Sequence, residues 1–329
     1  MIISQTPLRI SFAGGGTDFK EFYRESDGWV ISTAIDKYVF VIVNERFDDD
    51  IYLNYSRKER VTRVEEIQHD LIREAMKKTG VEKGVEITTL ADIPSEGSGL
   101  GSSSSITVGL LNALYAYQGI NAAAETLAKE ACEIEIDILG KPIGKQDQYI
   151  AAYGGLRFFE FCKDETVRVA SVNLENGEKR AFASNFLLYY TGMTRKADTI
   201  LSEQKKAVPL NFEILMKMKH QAAAIREHLA ARQFDRVGEE LHRAWQYKKS
   251  LVSTITVSEI DRMYDLAKQA GAIGGKICGA GGGGFLLLYC PRENQTRLRH
   301  AMRAYREFPF HFAKSGSKII FNYERYEWK

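Results

Sequence analysis

Gly97-Ser-Gly-Leu-Gly-Ser-Ser103 is the most informative stretch of this 329-residue chain. It follows a short strand-like run around Val85–Thr89. It opens onto a segment in which Val108, Leu111, Leu114 and Tyr115 recur at helical spacing. Glycines let a backbone approach a ligand closely and adopt positive φ, and the free amides at a helix N-terminus favour an anion. Serines in the first helical turn add hydroxyl donors and a potential Mg²⁺ ligand. Together these features suit a polyphosphate; a flexible turn with an ordinary serine cap is the plain alternative. GxxxxGK[ST] occurs nowhere in the chain, so this is not a Walker A loop.

Two more glycine loops flank it. Gly279, Gly281 and Gly284 satisfy GxGxxG, but the apolar strand Phe285–Tyr289 follows them, where a dinucleotide fingerprint requires a helix. Ala13-Gly-Gly-Gly-Thr-Asp18 follows the strand-like Leu8–Phe12 and is either a tight turn or a loop whose Asp18 forks two substrate hydroxyls. Around these loops, Val39–Val43 reads as a buried strand, and helices are predicted over Val64–Lys78 and from an Asn121 cap to Leu139. Later come helices over Asn211–Arg232 and Asp235–Leu251, and one from near Thr256 to before Gly271. The strand Phe285–Tyr289, a helix after Pro291 and the strand Lys318–Tyr323 complete the chain. This order predicts an α+β fold in two lobes, residues 1–185 and 186–329, as the length also suggests at ~150 residues per lobe.

Forty-five Lys and Arg against 43 Asp and Glu leave a net charge of +2, which offers no broad field for nucleic acid or membrane. No apolar run reaches the ~18 residues needed to span a bilayer, and no secretion signal is apparent. Cys132, Cys162, Cys278 and Cys290 are scattered without CxxC, so a reducing cytoplasm is expected rather than a disulfide framework. The six histidines show no metal-binding spacing. Glu133 to Asp147 supplies several carboxylates, of which Glu133 and Asp137 read as a solvated helix face.

Pro7-Leu-Arg-Ile10 with Ala13–Asp18, then Gly97–Ser103, then Lys276–Gly284, in this order along nearly the whole chain, resembles the three motifs of the GHMP kinases. The resemblance implies an N-terminal lobe similar to the second domain of ribosomal protein S5 and a ferredoxin-like C-terminal lobe. It implies ATP cradled by Gly97, Ser98, Gly99, Leu100, Gly101, Ser102, Ser103 and Ser104. In the family pattern a helix glutamate precedes the catalytic aspartate by twelve residues, with glycines five and nine residues after it; Glu135, Gly140, Gly144 and Asp147 match. Mg²⁺ is then expected on Ser103 and Glu135, with Asp147 facing the acceptor hydroxyl and Arg9 beside it. The acceptor is expected against Gly15, Gly16, Thr17, Asp18, Gly281 and Gly282. Ala13-Gly-Gly-Gly16 departs from the Gly-Glu-His step of galactokinase-like members, and the second motif is one residue longer than usual.

Within the family, PLRISFAGGGTDF, STAIDKYV, GKQDQYIAAYGG and TGMTRKAD most resemble the kinases that phosphorylate the anomeric hydroxyl of D-glycero-D-manno-heptose 7-phosphate, on the way to bacterial surface polysaccharide. Arg195 and Lys196 are expected to hold the acceptor's own phosphate. Cations at a helix start sit poorly unless an anion is near, although a solvated first turn is the competing account. A fucokinase- or galactokinase-like 1-kinase for a free sugar, and a non-catalytic ATP and sugar sensor, are the alternatives. The expected partner is a small sugar phosphate, with a homodimer left open.

Overall fold

The structure, a computed structural model, describes residues 1–93, 97–193 and 197–323. The first lobe is built on a long antiparallel pair, β1 (Ile2–Ala13) and β2 (Gly28–Glu45), in register from Ile2 against Val43 to Ala13 against Ile31. The strands β3 (Ile51–Asn54), β4 (Lys58–Val61) and β5 (Val85–Ala91) extend the sheet beyond one half of β2. The hairpin β6 (Leu156–Phe161) and β7 (Val167–Ser171) joins its other half. Side chains alternate along a strand. Leu8, Ile10 and Phe12 are therefore fully buried in the core, while Arg9 and Ser11 face the other way.

The helix Ser102–Tyr117 lies on β1 and β2. Ser4 Oγ donates to the carbonyl of Gly109 (2.8 Å) and Ser105 Oγ to that of Pro7 (2.8 Å), while the Arg9 amide donates to Leu100 O (3.0 Å). These bonds fix the helix start over the middle of β1. That is where the site forms.

The second sheet contains β8 (Phe186–Tyr190), β9 (Gly274–Ile277), β10 (Phe285–Tyr289) and β11 (Arg306–Glu307), in the order β11-β8-β10-β9 with every pair antiparallel. Numbered within the lobe this is 4-1-3-2, the order expected of a ferredoxin-like lobe. The helices Phe212–Ala230, Phe234–Leu251 and Ser258–Gln269 help bury Trp245, Met263 and Leu286 in its core. Phe12, Phe182, Phe186 and Phe312 pack with tilted or edge-on rings, their centroids 5.0–6.1 Å apart, where the sheets meet.

Three sequence expectations are corrected. The helix predicted over Val64–Lys78 splits into a 3₁₀ turn, Val64–Glu66, and a helix, Asp70–Thr79. The carboxylate of Glu59 accepts from the amides of Gln68 (2.7 Å) and His69 (3.2 Å), which holds them out of the helix, and His69 Nδ1 becomes the cap. The helix predicted from an Asn121 cap starts at Ala124, with its buried Leu127, Ala128 and Ala131 setting its position; from Glu133 to Ile138 it widens into a π-helix. The last strand, β12 (Lys318–Asn322), does not belong to the second sheet. It pairs with β1, and β11 takes the place expected of it.

The segment leading into β12 passes over Gly154, at φ 63° and ψ −174°, where a Cβ would overlap the backbone of Ser315 and Gly316. Gly80, at φ 72°, closes its helix with open space around it. Gly80→Ala should cost about 1 kcal/mol from backbone handedness alone. Gly154→Ala should cost at least about 3 kcal/mol, because a glycine-only conformation and a backbone clash add together. Urea unfolding midpoints of the two variants measure the difference, and equal losses would show that the crossing segment simply moves aside.

Candidate active site

The loops Gly97–Ser102 and Cys278–Gly284 touch backbone to backbone. A Cβ on Gly99 would lie 2.5 Å from Cys278 O, and one on Gly279 would lie 2.5 Å from the Gly99 Cα. Only glycine permits this approach, and Gly99 (φ 72°) and Gly279 (φ 65°) also have left-handed backbones. The cleft between the lobes is built on this contact.

One cavity of the cleft, about 610 Å³, is lined by Gly97, Ser98, Gly99, Gly101, Ser102, Ser103 and Ser104, together with Glu135 and Lys141. Gly101 precedes the helix Ser102–Tyr117 in a left-handed conformation and, as a glycine, brings no side chain to cap its first amides. Ser98 Oγ and Ser102 Oγ are hydrogen-bonded (3.1 Å) beneath the loop. Leu100 differs from expectation: its side chain is wholly buried in the core, and its carbonyl serves Arg9.

Glu135 is fully buried. The π-helix carries it inward, through i→i+5 bonding such as Leu139 N–H to Ile134 O (2.9 Å). Its carboxylate accepts from Ser103 Oγ (3.1 Å) and Gln148 Nε2 (3.2 Å), and Lys141 Nζ donates to Ser103 Oγ (3.4 Å). Burial raises its pKa above the usual carboxylate range, opposed by Lys141 and by hydrogen bonds from Ser104, Ser103 and Gln148. A buried carboxylate beside a hydroxyl, already drawing a lysine, is a donor pair that fits a hard cation such as Mg²⁺.

Arg9 reaches across from β1 to Asp147, in the first turn of the helix Gln146–Tyr153. Nε donates to Oδ1 (2.7 Å) and Nη2 to Oδ2 (2.5 Å), while Nη1 donates to the Gly99 carbonyl (2.5 Å). The fork is bidentate and its guanidinium is nearly buried, so the carboxylate is held in one orientation. Arg9, Asp147, Gly279 and Ala280 line both this cavity and a smaller one.

The smaller cavity contains Gly15, Gly16, Asp18, Gln146, Lys248 and Lys276. Asp18 accepts from the amides of Gly16 (2.9 Å) and Gln146 (3.2 Å). Burial raises its pKa and the neighbouring Asp147 adds to this, against the pull of those amides. Lys276 donates to the carbonyls of Ser11 (2.8 Å) and Phe12 (3.4 Å), and Lys248 to those of Ile277 (3.4 Å) and Gly279. Burial lowers both, Lys276 to about 8 and Lys248 well below its ordinary value. Ser11 Oγ and Gln146 Oε1, both in this cavity, are buried without a hydrogen-bond partner among the described residues.

Three expected acceptor contacts lie elsewhere. Thr17 is wholly buried, with its hydroxyl donating to Gly14 O (2.8 Å) and accepting from the Trp29 amide (3.0 Å), so it staples the loop. Gly281 and Gly282 pack on Ile255, the Gly282 amide donating to Ile255 O (2.7 Å), and Gly279 and Ala280 face the cleft instead. Arg195 and Lys196 lie outside the described residues. Sequence reasoning missed Lys248, Gln148 and Lys141 as site residues. Gln148 and Lys141 sit beside the glycines and Asp147 of one matched motif, which was a usable signal; Lys248 sits in a long helix with none.

No described helix is long and apolar enough to cross a membrane. Residues 65–155 match the family described as GHMP kinases N terminal domain, and residues 222–307 match GHMP kinases C terminal. A D-glycero-alpha-D-manno-heptose 7-phosphate kinase of Campylobacter jejuni is 31% identical, covering 96% of this chain and 98% of that protein. An L-fucokinase/L-fucose-1-P guanylyltransferase of Bacteroides fragilis is 27% identical over 91% of this chain but only 35% of its own length. A solved structure described as a D-glycero-D-manno-heptose 1-phosphate kinase from Bacteroides thetaiotaomicron superposes with a TM-score of 0.82 at 25% identity, covering 98% of this chain and 100% of that one. With these similarities running through both lobes and the glycine loops meeting over an Arg9–Asp147 pair, the chain belongs to the GHMP kinase family and is an ATP-dependent sugar kinase.

Proposed function

We propose that this kinase transfers the γ-phosphoryl group of ATP to the anomeric hydroxyl of D-glycero-D-manno-heptose 7-phosphate, giving the 1,7-bisphosphate. The observation that carries the reading is the shared wall of the two cavities. Arg9 and Asp147 belong to both the glycine-loop cavity and the smaller pocket. A donor phosphate in one and an acceptor hydroxyl in the other would meet at this pair. The heptose 7-phosphate kinase among the relatives supports the sugar. Buried Lys248 and Lys276, with no carboxylate ion pair among the described residues, suit an acceptor that is itself an anion.

In this reading the triphosphate lies along Gly97–Ser104, taking hydrogen bonds from loop amides, serine hydroxyls and the open helix start. Asp18, Gly15 and Gly16 hold the sugar. Asp147 orients the acceptor hydroxyl and takes its proton as the sugar oxygen bonds to the γ-phosphorus; the bond to the ADP oxygen breaks, and ADP leaves with the electron pair. Arg9 holds Asp147 in one orientation through its bidentate fork, and its charge stabilises the transferring group. Ser103 and Glu135 would hold Mg²⁺, which supplies charge neutralisation at the phosphate oxygens. The four buried free thiols agree with the cytoplasm as its compartment.

Asp147→Asn should leave the KM for ATP nearly unchanged and lower kcat by about 10²–10⁴, the range for a lost general base. Steady-state kinetics measure this, and a variant keeping most of the wild-type rate would remove the proton-accepting role.

Ser103→Ala and Glu135→Gln should each raise the Mg²⁺ concentration for half-maximal rate, since the cation loses an oxygen ligand or its charge. Titration of Mg²⁺ at fixed ATP reads the midpoint. If neither variant moves it, the metal is held by other groups.

For the acceptor itself, heptose 7-phosphate should exceed unphosphorylated heptose in kcat/KM by more than about tenfold, in line with a charged hydrogen bond. ADP release across a sugar panel, with product NMR, identifies acceptor and position together. Equal values for the two heptoses would favour the free-sugar kinase, and sugar binding without turnover the sensor.

A further inference from the structure

A larger cavity, about 1170 Å³, shares no lining residue with either pocket of the cleft among the described residues, and the proposed phosphoryl transfer does not use it. Its walls come from the start of β6, the end of β7, the helix Asn176–Ala183, and β8. The strap Glu307–Lys314 also lines it and ties the two sheets together. The Phe308 amide donates to Leu188 O (2.7 Å) at one end of the strap and the Ala313 amide to Ala34 O (2.9 Å) at the other.

Its charge sets it apart from the rest of the molecule. Arg157, Lys179, Arg180, Arg292, Arg299 and Lys314 line it, against one acid, Glu307. Over the whole chain the two signs nearly cancel, 45 against 43. Glu307 gives no relief to the others, because Arg299 holds its carboxylate at 2.9–3.2 Å. Lys179, Arg292 and Lys314 have no ion pair or side-chain hydrogen bond among the described residues. Cations gathered in a walled concavity reinforce one another's field and raise the local concentration of anions. Phe308, Phe310 and Phe312 are half-buried and line the same space, so it offers aromatic surface as well as charge.

We propose that this cavity binds a nucleoside diphosphate, at a site separate from the ATP cleft. Arginine forks and lysine point charges would take the phosphate oxygens, and the phenylalanine rings would take the flat base. Because its walls belong to both sheets and to the strap joining them, an occupant would brace the lobes against each other.

The test is equilibrium dialysis of labelled ADP with the full chain at low ionic strength. Wild-type protein should bind two equivalents, the second weakening as salt is added. Lys179→Glu/Arg292→Glu, a change at exposed or half-exposed positions without partners, should bind one equivalent and keep the wild-type kcat and KM for ATP, which also shows that it is folded. Pyrophosphate, lacking the ring, should compete for the second equivalent at least about tenfold less well than ADP. One equivalent in the wild type, two in the double variant, or equal competition by pyrophosphate would each overturn the assignment.

Discussion

The cleft depends on two peptide backbones lying closer together than any side chain would allow. Gly99 and Gly279 come from different lobes, and their contact leaves no space between the loops for a Cβ. Arg9 turns this contact into a site. Its guanidinium bridges the carbonyl of Gly99 and the carboxylate of Asp147, so one side chain measures the distance between the glycine loop and the smaller cavity. A longer approach between the loops would pull the fork off one partner or the other.

The electrostatics of the cleft follow from burial. Asp18 and Glu135 are pushed towards their neutral forms, and Lys248 and Lys276 towards theirs, by the same loss of water. Each is kept in place by backbone or hydroxyl partners in preference to a direct ion pair. Such a set is costly without counter-charges, since burial takes water from groups that have no ion-pair partner to replace it.

Much of this was legible from residues alone, because glycine loops at a helix start and a spaced pair of carboxylates are local signals. The strands and the long helices were legible too, from apolar runs with clear periods. What escaped has a common physical cause, namely contacts distant in sequence. Glu59 undoes the first turn of a predicted helix from ten residues away. Thr17 looks like a ligand in AGGGTD but is consumed by Trp29. Lys248 points into the cleft from a helix whose pattern is otherwise ordinary, and the π-helix that aims Glu135 has no signature in EIEIDI. The sequence marks Lys318–Tyr323 as a strand but does not say that it leaves its lobe to pair with β1, since its half-exposed pattern carries no address.

That last strand has a consequence for how the molecule is made. Thr6 and Ser317, hydrogen-bonded at 2.8 Å, are 311 residues apart in the chain. During synthesis β2 follows β1 closely and can pair with it, but the other edge of β1 has no strand to pair with until β12, which ends at Asn322, has been made. Between the making of β2 and of β12, the nascent chain therefore displays an unpaired edge strand, the kind of surface on which chains join one another. How that edge is sheltered while the chain is being made then bears on the yield of folded enzyme, alongside the stability of the finished fold.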